Sequence, residues 1–429
     1  MGPRAFLVDV GPVRESRPFR FLLIAMVTSL CGRQVLNVAV PFQVFILTRS
    51  SLAVGLVSAA RLLPMLTAGL YGGLLVDRYD RRQVMFFNKV ASAGCSVGLV
   101  GVALLPHPPL VPIVVLAALG AGLGNIESAC KMSIPPRLFP AQRLAAASSL
   151  QQLTTQVGVV VGPAVGGLVI GLFGLPWAYS LDVILALPAL AAIAAMPSFP
   201  PHDSSPQWSL RVPLQAVGFA ARTPLVKASF LIDIVAMLFG APTALFPAMA
   251  VMVYHVGPAG LGLLYSAIGL GGLLGSVLTG WVSGVERRGL AVTASVLCWG
   301  AAITGFGLAA PLFAVGLLFL ALAGAADVIS AIFRTTIIQT LTPDRLRGRI
   351  GSLNSLVVVS GPSLGDLESG GVATLTSPVI AVVFGGLACL AGALLLVAAI
   401  PELRSGRLSD ARPSGAGTAP PELELEPPA

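Results

Sequence analysis

Twelve long apolar runs, separated by short clusters of charge, proline and glycine, leave this chain few ways to fold. They cover about 19–47, 53–76, 83–104, 110–135, 144–172, 176–196, 225–251, 258–283, 289–309, 312–336, 349–373 and 378–400. Each reaches the roughly 20 residues that an α-helix needs to cross the hydrocarbon core of a bilayer. With 55% of its 429 residues hydrophobic and only 10% charged, the chain has too little polar surface to coat a soluble globule of that content. An all-α, multi-pass membrane protein is expected.

The basic residues then set the orientation. If the N-terminus is cytoplasmic, the inside segments hold Arg4, Arg14 and Arg17, then Arg78, Arg81 and Arg82, then Arg137 and Arg143, Arg211 and Arg222, Arg287 and Arg288, and Arg345, Arg347 and Arg349. The outside connections hold only Arg49. Such asymmetry puts both termini in the cytoplasm of a bacterial-type inner (plasma) membrane. Residues Met1 to Arg17 lack the apolar core and small-residue cleavage site of a signal peptide. Because the arginines are dispersed over helix ends, the net charge of +8 reports topology, and no nucleic-acid partner is expected. The five cysteines, Cys31, Cys95, Cys130, Cys298 and Cys389, all lie in apolar runs without metal-ligand or paired spacing. They read as small core residues, and no metal or other cofactor is expected.

The organisation is that of two copies. Leu119 to Pro140 aligns without a gap onto Leu322 to Pro343, pairing Lys131 with Arg334 and Pro140 with Pro343. Arg143-Leu144 corresponds to Arg345-Leu346, and Gly162-Pro163 in the fifth run parallels Gly361-Pro362 in the eleventh. The expected division is a cytoplasmic N-terminal segment at 1–18, a six-helix bundle at 19–196, a cytoplasmic linker at 197–224, a second six-helix bundle at 225–402 and a disordered tail at 403–429. Linker residues Pro200 to Pro206 break the apolar pattern and make the linker chiefly a loop, with a short amphipathic helix near Leu210 to Ala221 as the weaker reading. The tail is rich in Pro, Gly, Ser and Glu. Gly280 to Arg288 is a degenerate echo of the loop between the second and third runs.

That loop is the first of two motifs. Gly73-Leu-Leu-Val-Asp77-Arg78-Tyr-Asp80-Arg81-Arg82 concentrates acidic and basic groups between two membrane helices. The second, Gly158-Val-Val-Val-Gly162-Pro163-Ala-Val-Gly166-Gly167, puts Gly158, Gly162 and Gly166 on one helix face, where they permit close approach, while Pro163 removes a backbone hydrogen bond. Together they resemble the two signatures of proton-coupled exporters of the major facilitator superfamily. Ala39-Val40-Pro41-Phe42-Gln43, Pro343-Asp344, Gly348-Arg349-Ile350 and Ser360-Gly361 are similar to the branch of that superfamily that holds enterobactin exporters and macrolide-efflux proteins. The similarity runs from about Phe19 to Glu402. Asp80 agrees with that branch, in which the glycine expected between the basic groups is acidic.

The resemblance implies two pseudo-symmetric six-helix bundles that rock about a midplane site, exporting a small amphipathic molecule by proton antiport. A siderophore leads, with macrolide or multidrug efflux, or lipid flipping by the same fold, as alternatives. It implies a gating role for Gly73, Asp77, Arg78, Asp80, Arg81 and Arg82. A carboxylate at Asp77 suits the free N–H groups and positive dipole end of a helix start, and in related transporters that partner is the start of the eleventh helix, here about Gly348 to Ser352. Gly158, Gly162, Pro163, Gly166 and Gly167 take the antiporter role. The expected partners are the small-molecule substrate, protons and membrane lipids, and the expected state is a monomer.

Charges inside the runs are the candidates for substrate and proton binding, since each costs several kcal/mol unless paired or wet. The candidate set is Arg33 and Asn37, Arg61, Glu127, Asp233, Asp366 and Glu368. Two readings of Arg33 stand, a cavity-facing cation for an anionic substrate and a structural salt bridge to Asp366 or Glu368. Glu127 either carries the coupled proton or is neutralised by Lys131 four residues on. Asp366 and Glu368, two residues apart, point to different sides of one helix. Asp182 and Asp327 read as scaffold positions. An enzyme is excluded for want of material: there is no phosphate-binding glycine-rich loop with its lysine, no His-Glu-x-x-His, and His107, His202 and His255 lie far apart.

Overall fold

The computed structural model of the protein describes residues 10–200, 211–277 and 285–405. Arg4, the linker residues from Pro201 to Leu210, Gly280 to Gly284 and the tail from Gly406 onward lie outside the described residues. Twelve long helices run in order among those described: α1 (Arg17–Thr48), α2 (Ser51–Arg78), α3 (Arg81–Ala103), α4 (Leu110–Ser133), α5 (Ala141–Phe173), α6 (Leu175–Ala194), α7 (Pro224–Gly240), α8 (Gly257–Val277), α9 (Arg288–Leu308), α10 (Phe313–Leu341), α11 (Asp344–Leu375) and α12 (Pro378–Ala399). Their ends carry local stop and start signals. Ser16 caps α1 by accepting from the Phe19 amide at 3.3 Å, Ser50 caps α2 through Ala53, Asp80 caps α3, and Ser377 caps α12 through Ile380. Between α1 and α2 only two residues turn the chain, and Arg49 takes the left-handed conformation there (φ 52°).

Two segments depart from the expected runs. The seventh run is not one continuous helix: after Gly240 the chain passes through a 3₁₀ turn at Thr243–Leu245, a short turn at Phe246–Ala248 and a π turn at Met249–Val253. Pro242 and Pro247 cause this, because neither can donate to the preceding turn. The linker, expected chiefly as loop, contains a helix at Arg211–Arg222. Its Phe219 and Ala220 pack on Ile350 and Leu346 of α11 and Val226 of α7, which gives the apolar stripe a place to be buried. Eleven stretches among the described residues are long and apolar enough to cross a membrane, and α11 is the long helix that is too polar to qualify. It borders the polar interior instead.

Each half packs as its own bundle. In the first, α1 contacts α5 and α6, α2 contacts α4, and α3 contacts α4 and α6; in the second, α10 contacts α8 and α9, and α12 contacts α7 and α9. Two seams join the halves, α5 against α8 and α2 against α11. Twelve crossings return the chain to the face from which it started, and that face bears the arginine-rich connections. On the opposite face the seams are close. A Cβ on Gly370 would meet the backbone of Ser51 within 2.6 Å, and one on Gly262 would meet the Cα of Gly167 at 3.0 Å. At the basic face a Cβ at Gly348 or Gly351 of α11 would meet no neighbouring helix within 4 Å, while Ile350 between them is buried against the linker helix. The two halves are thus held closely at the opposite face.

Exposed large residues such as Leu63, Val111, Leu318 and Leu395 form the outer wall, as a protein dissolved in lipid requires. Replacing Gly262 with Leu forces a side chain into the backbone of α5 and should cost about 1–3 kcal/mol. We expect a clear drop in the midpoint of thermal unfolding in detergent, while Gly94→Ala, whose Cβ enters open space, leaves the midpoint unchanged or slightly higher.

Candidate functional site

The Gly73–Arg82 motif is a bracket at the basic face. Gly73 and Asp77 lie in the last two turns of α2. Asp80 opens α3, its Oδ1 accepting from the amides of Arg82 (2.8 Å) and Gln83 (3.3 Å), while Oδ2 accepts from the Ser198 hydroxyl. Partial burial pushes the Asp80 pKa up, but these hydrogen bonds outweigh it and hold the carboxyl below its ordinary value. Arg81 is buried; its Nε donates to Ser133 Oγ at 2.9 Å, and its amide donates to the Phe199 carbonyl at 3.2 Å. Arg78 is exposed beside the Tyr79 ring. Asp80 and Arg81 thus tie α3 to the ends of α4 and α6 within the first half.

In α5 the glycine stripe divides its work between two neighbours. Gly158, Gly162 and Gly166 face Leu30, Gln34 and Val35 of α1, with a Cβ on Gly166 falling 3.0 Å from the Val35 Cα. Gly167 and the Pro163 carbonyl face Gly262 of α8. The helix that carries these residues therefore meets both the interior of its own half and the seam with the other.

The buried charges gather in three groups. In the first half, Arg33 of α1 donates to Glu127 Oε2 at 2.9 Å and to the Gly124 carbonyl at 3.1 Å, while Lys131 pairs with Glu127 Oε1. Arg33 therefore bridges to neither Asp366 nor Glu368, the partners weighed for it from sequence, because α4 rather than α11 lies beside α1 at that depth. In the second half, Arg334 of α10 pairs with Asp233 of α7, and Asp327 stands 4.0 Å from its other terminal nitrogen. The third group lies at the α2–α11 seam, where Ser58 and Arg61 of the first half reach Asp366 of the second. Asp366 of α11 accepts from Thr243 Oγ1 at 2.6 Å and from the Ala244 amide at 2.7 Å. The break after α7 frees that amide, and a carboxylate at the start of the new turn satisfies it.

A cavity of about 310 Å³ joins the first group to the third, lined among others by Arg33, Asn37, Arg61, Lys89, Glu127 and Asp366. A second, of about 200 Å³, lies across the seam and shares Asn37, Arg61 and Asp366 with it. Arg61 interacts electrostatically with Asp366, and its Nε has no hydrogen-bond partner among the described residues. Asn37 donates to the Gln34 side chain at 2.9 Å. Asp182 accepts from Ser96 at 2.6 Å and lies directly against Gly32. Glu368 lines neither cavity and has no ion-pair or hydrogen-bond partner among the described residues.

Sequence reasoning overlooked Lys89. It is 2% exposed and lines the larger cavity, although its place seven residues into the third run was visible by the test that found the others.

Twelve helices in two bundles, with ion pairs held at mid-depth and small-residue seams between the halves, define a membrane transporter of the major facilitator superfamily. The chain belongs to the transmembrane secretion effector family, whose model matches residues 9–426. It is 30% identical to the enterobactin exporter EntS of Citrobacter koseri over 419 residues, 97% of this chain and all of that one. It is also 30% identical to enterobactin exporter EntS of Escherichia coli O1:K1 / APEC over 410 residues, 95% and 97% of the two chains. Among solved structures, the nucleoside transporter NupG superposes with a TM-score of 0.73 at 13% identity, covering 89% of this chain and 99% of that one. A bacterial homologue of the lysosomal transporter Spinster, inward-facing and unoccupied, gives 0.68 at 15% identity, covering 94% and 100%. The protein is a non-enzymatic transporter.

Replacing Glu127 with Gln leaves Arg33 and Lys131 without their shared counter-charge, a change that costs about 3–5 kcal/mol for a buried pair. Thermal unfolding should show a large loss for Glu127→Gln and a partial recovery when Arg33→Gln is added. Equal and additive losses would mean that the two residues are not coupled.

Proposed function

We propose that this transporter exports a bulky amphipathic compound of siderophore type across the inner membrane, in exchange for protons, with its basic face in the cytoplasm. The observation that carries this reading is similarity spanning essentially the whole chain to exporters of enterobactin. The interior supports it. The larger cavity is lined by three cations (Arg33, Arg61 and Lys89) and three acids (Glu127, Asp182 and Asp366), with Lys131 paired to Glu127 outside the lining, a charged interior suited to a polar or ionic solute.

Alternating access follows from the seams. Asp366 latches the halves near the opposite face through Ser58 and Arg61 of α2, and a parted basic face admits solute from the cytoplasm. Closing that face brings the α2–α3 loop toward the start of α11, where Asp77 meets the free amide groups of the helix. The glycine faces of α5 let the two bundles pivot without separating. Asp77 and the α5 glycines thus serve opposite ends of one motion.

In sealed vesicles carrying the protein, an imposed proton gradient should drive uptake of a catecholate siderophore, and Asp77→Asn should slow it about tenfold or more, equivalent to about 1.4 kcal/mol on the barrier. Movement of macrolides alone would replace the substrate class. Movement that ignores the gradient would remove proton antiport.

A further inference from the structure

The two halves carry buried ion triads of opposite sense. Around the first and fourth helices of the first half, two cations, Arg33 and Lys131, flank one acid, Glu127. Around the corresponding helices of the second half, two acids, Asp233 and Asp327, flank one cation, Arg334. The internal repeat makes the correspondence specific, since Lys131 aligns with Arg334 and Gly124 with Asp327. At Gly124 a backbone carbonyl meets the guanidinium of Arg33; at the equivalent position the second half offers the side chain of Asp327 to the guanidinium of Arg334. A carbonyl cannot take up a proton at physiological pH, whereas a carboxylate can.

The triads also differ in how firmly their acids are held. Both oxygens of Glu127 are paired with cations and its side chain is 2% exposed; Asp233 is paired and 4% exposed. Asp366 accepts hydrogen bonds from the Thr243 hydroxyl and the Ala244 amide, both on Oδ1. Asp327 differs from all three and, unlike Glu368, which is unpaired among the described residues, stands beside a buried ion pair. It stands at the 4.0 Å limit of an ion pair, accepts no hydrogen bond from the described residues, and its side chain is 36% exposed.

That exposure is internal. Leu318 and Leu322 mark the lipid-facing line of α10, and Asp327 lies about half a turn round the helix from it, on the same side as Arg334 and the buried Leu320. Of the helices packed against α10, α7 brings Asp233 and, nearly two turns toward the basic face, Lys227. Within the bilayer α8 and α9 carry only Tyr265 and Cys298 as titratable groups, and Tyr265 donates to the Thr243 carbonyl at 3.1 Å.

We propose that Asp327 is the proton-binding acid of this transporter, with Asp233–Arg334 as the fixed pair that positions it. A proton from the aqueous interior adds to the Asp327 carboxylate, leaving Asp233 and Arg334 as a neutral pair; its release restores a triad with one surplus negative charge. That negative charge faces the positively biased interior of the first half, so loading and unloading the proton changes the attraction between the bundles. The inference rests on the proton-antiport reading for its biological meaning, but the binding of the proton can be read without any substrate.

The test is infrared difference spectroscopy of the full-length protein in lipid bilayers, titrated through neutral pH and read at the carbonyl stretch of a protonated carboxyl group. The wild type should show one titrating band. Asp327→Asn should abolish it, Asp327→Glu should keep it at a displaced midpoint, and Glu368→Gln and Asp366→Asn should leave it in place. A band that survives in Asp327→Asn, or is lost in Asp366→Asn instead, overturns the assignment. If the band behaves as expected but a proton gradient fails to drive transport by the wild type, antiport fails while the proton site stands.

Discussion

A charge inside a bilayer-spanning helix must find a counter-charge, a hydrogen bond or water, and the architecture of this protein is organised round that need. Left bare, each charge costs several kcal/mol. Glu127 is shared between Arg33 and Lys131, Asp233 is held by Arg334, Asp182 takes the Ser96 hydroxyl, and Asp366 takes the amide freed by the broken seventh helix. Most of these tie one helix to another, so the same contacts that make the charges tolerable also fix which helices are neighbours. In Asp366 the partner lies beyond the helix break, within the same half.

Close packing supplies what the ion pairs do not. Apolar surfaces gain little by meeting each other in lipid, so helices associate through backbone approach and dispersion. Gly55, Gly167, Gly262 and Gly370 each lie against backbone of the other half. All four belong to the two seams that join the bundles. The polar character of α11 follows from the same division of labour, because a helix that borders the interior on one side and a seam on the other has less lipid to face.

Much of this was legible in the sequence. The run lengths fixed the class, and the ends of α1, α2 and α5 fall within three residues of their expected limits, because Ser16, Ser50 and Gly174 mark those ends locally. The glycine interval in α5 announced a close-packed face. Pairing was harder. Glu127 and Lys131 were legible as a pair because four residues make one helical turn, but the bridge from Arg33 spans 94 positions and depends on which face of α4 turns toward α1. Asp327 read as scaffold for the same reason: its loose hold on Arg334 is a property of distance, not of composition. The break after α7 was visible as Pro242 and Pro247, yet only the folded chain shows Asp366 occupying it.

In the proposed cycle Asp366, which meets Ser58 and Arg61 of the first half, holds the opposite face shut while the basic face is parted. Distances between spin labels measure that most directly, with one pair at Arg49 and Thr376 on the opposite face and another at Tyr79 and Ser352 on the basic face, in protein free of substrate at neutral pH. A short distance is expected for the first pair and a long one for the second, with a shift of population toward the reverse in Asp366→Ala. A long opposite-face distance in the unsubstituted protein, or distributions that Asp366→Ala leaves unchanged, would contradict this role for Asp366.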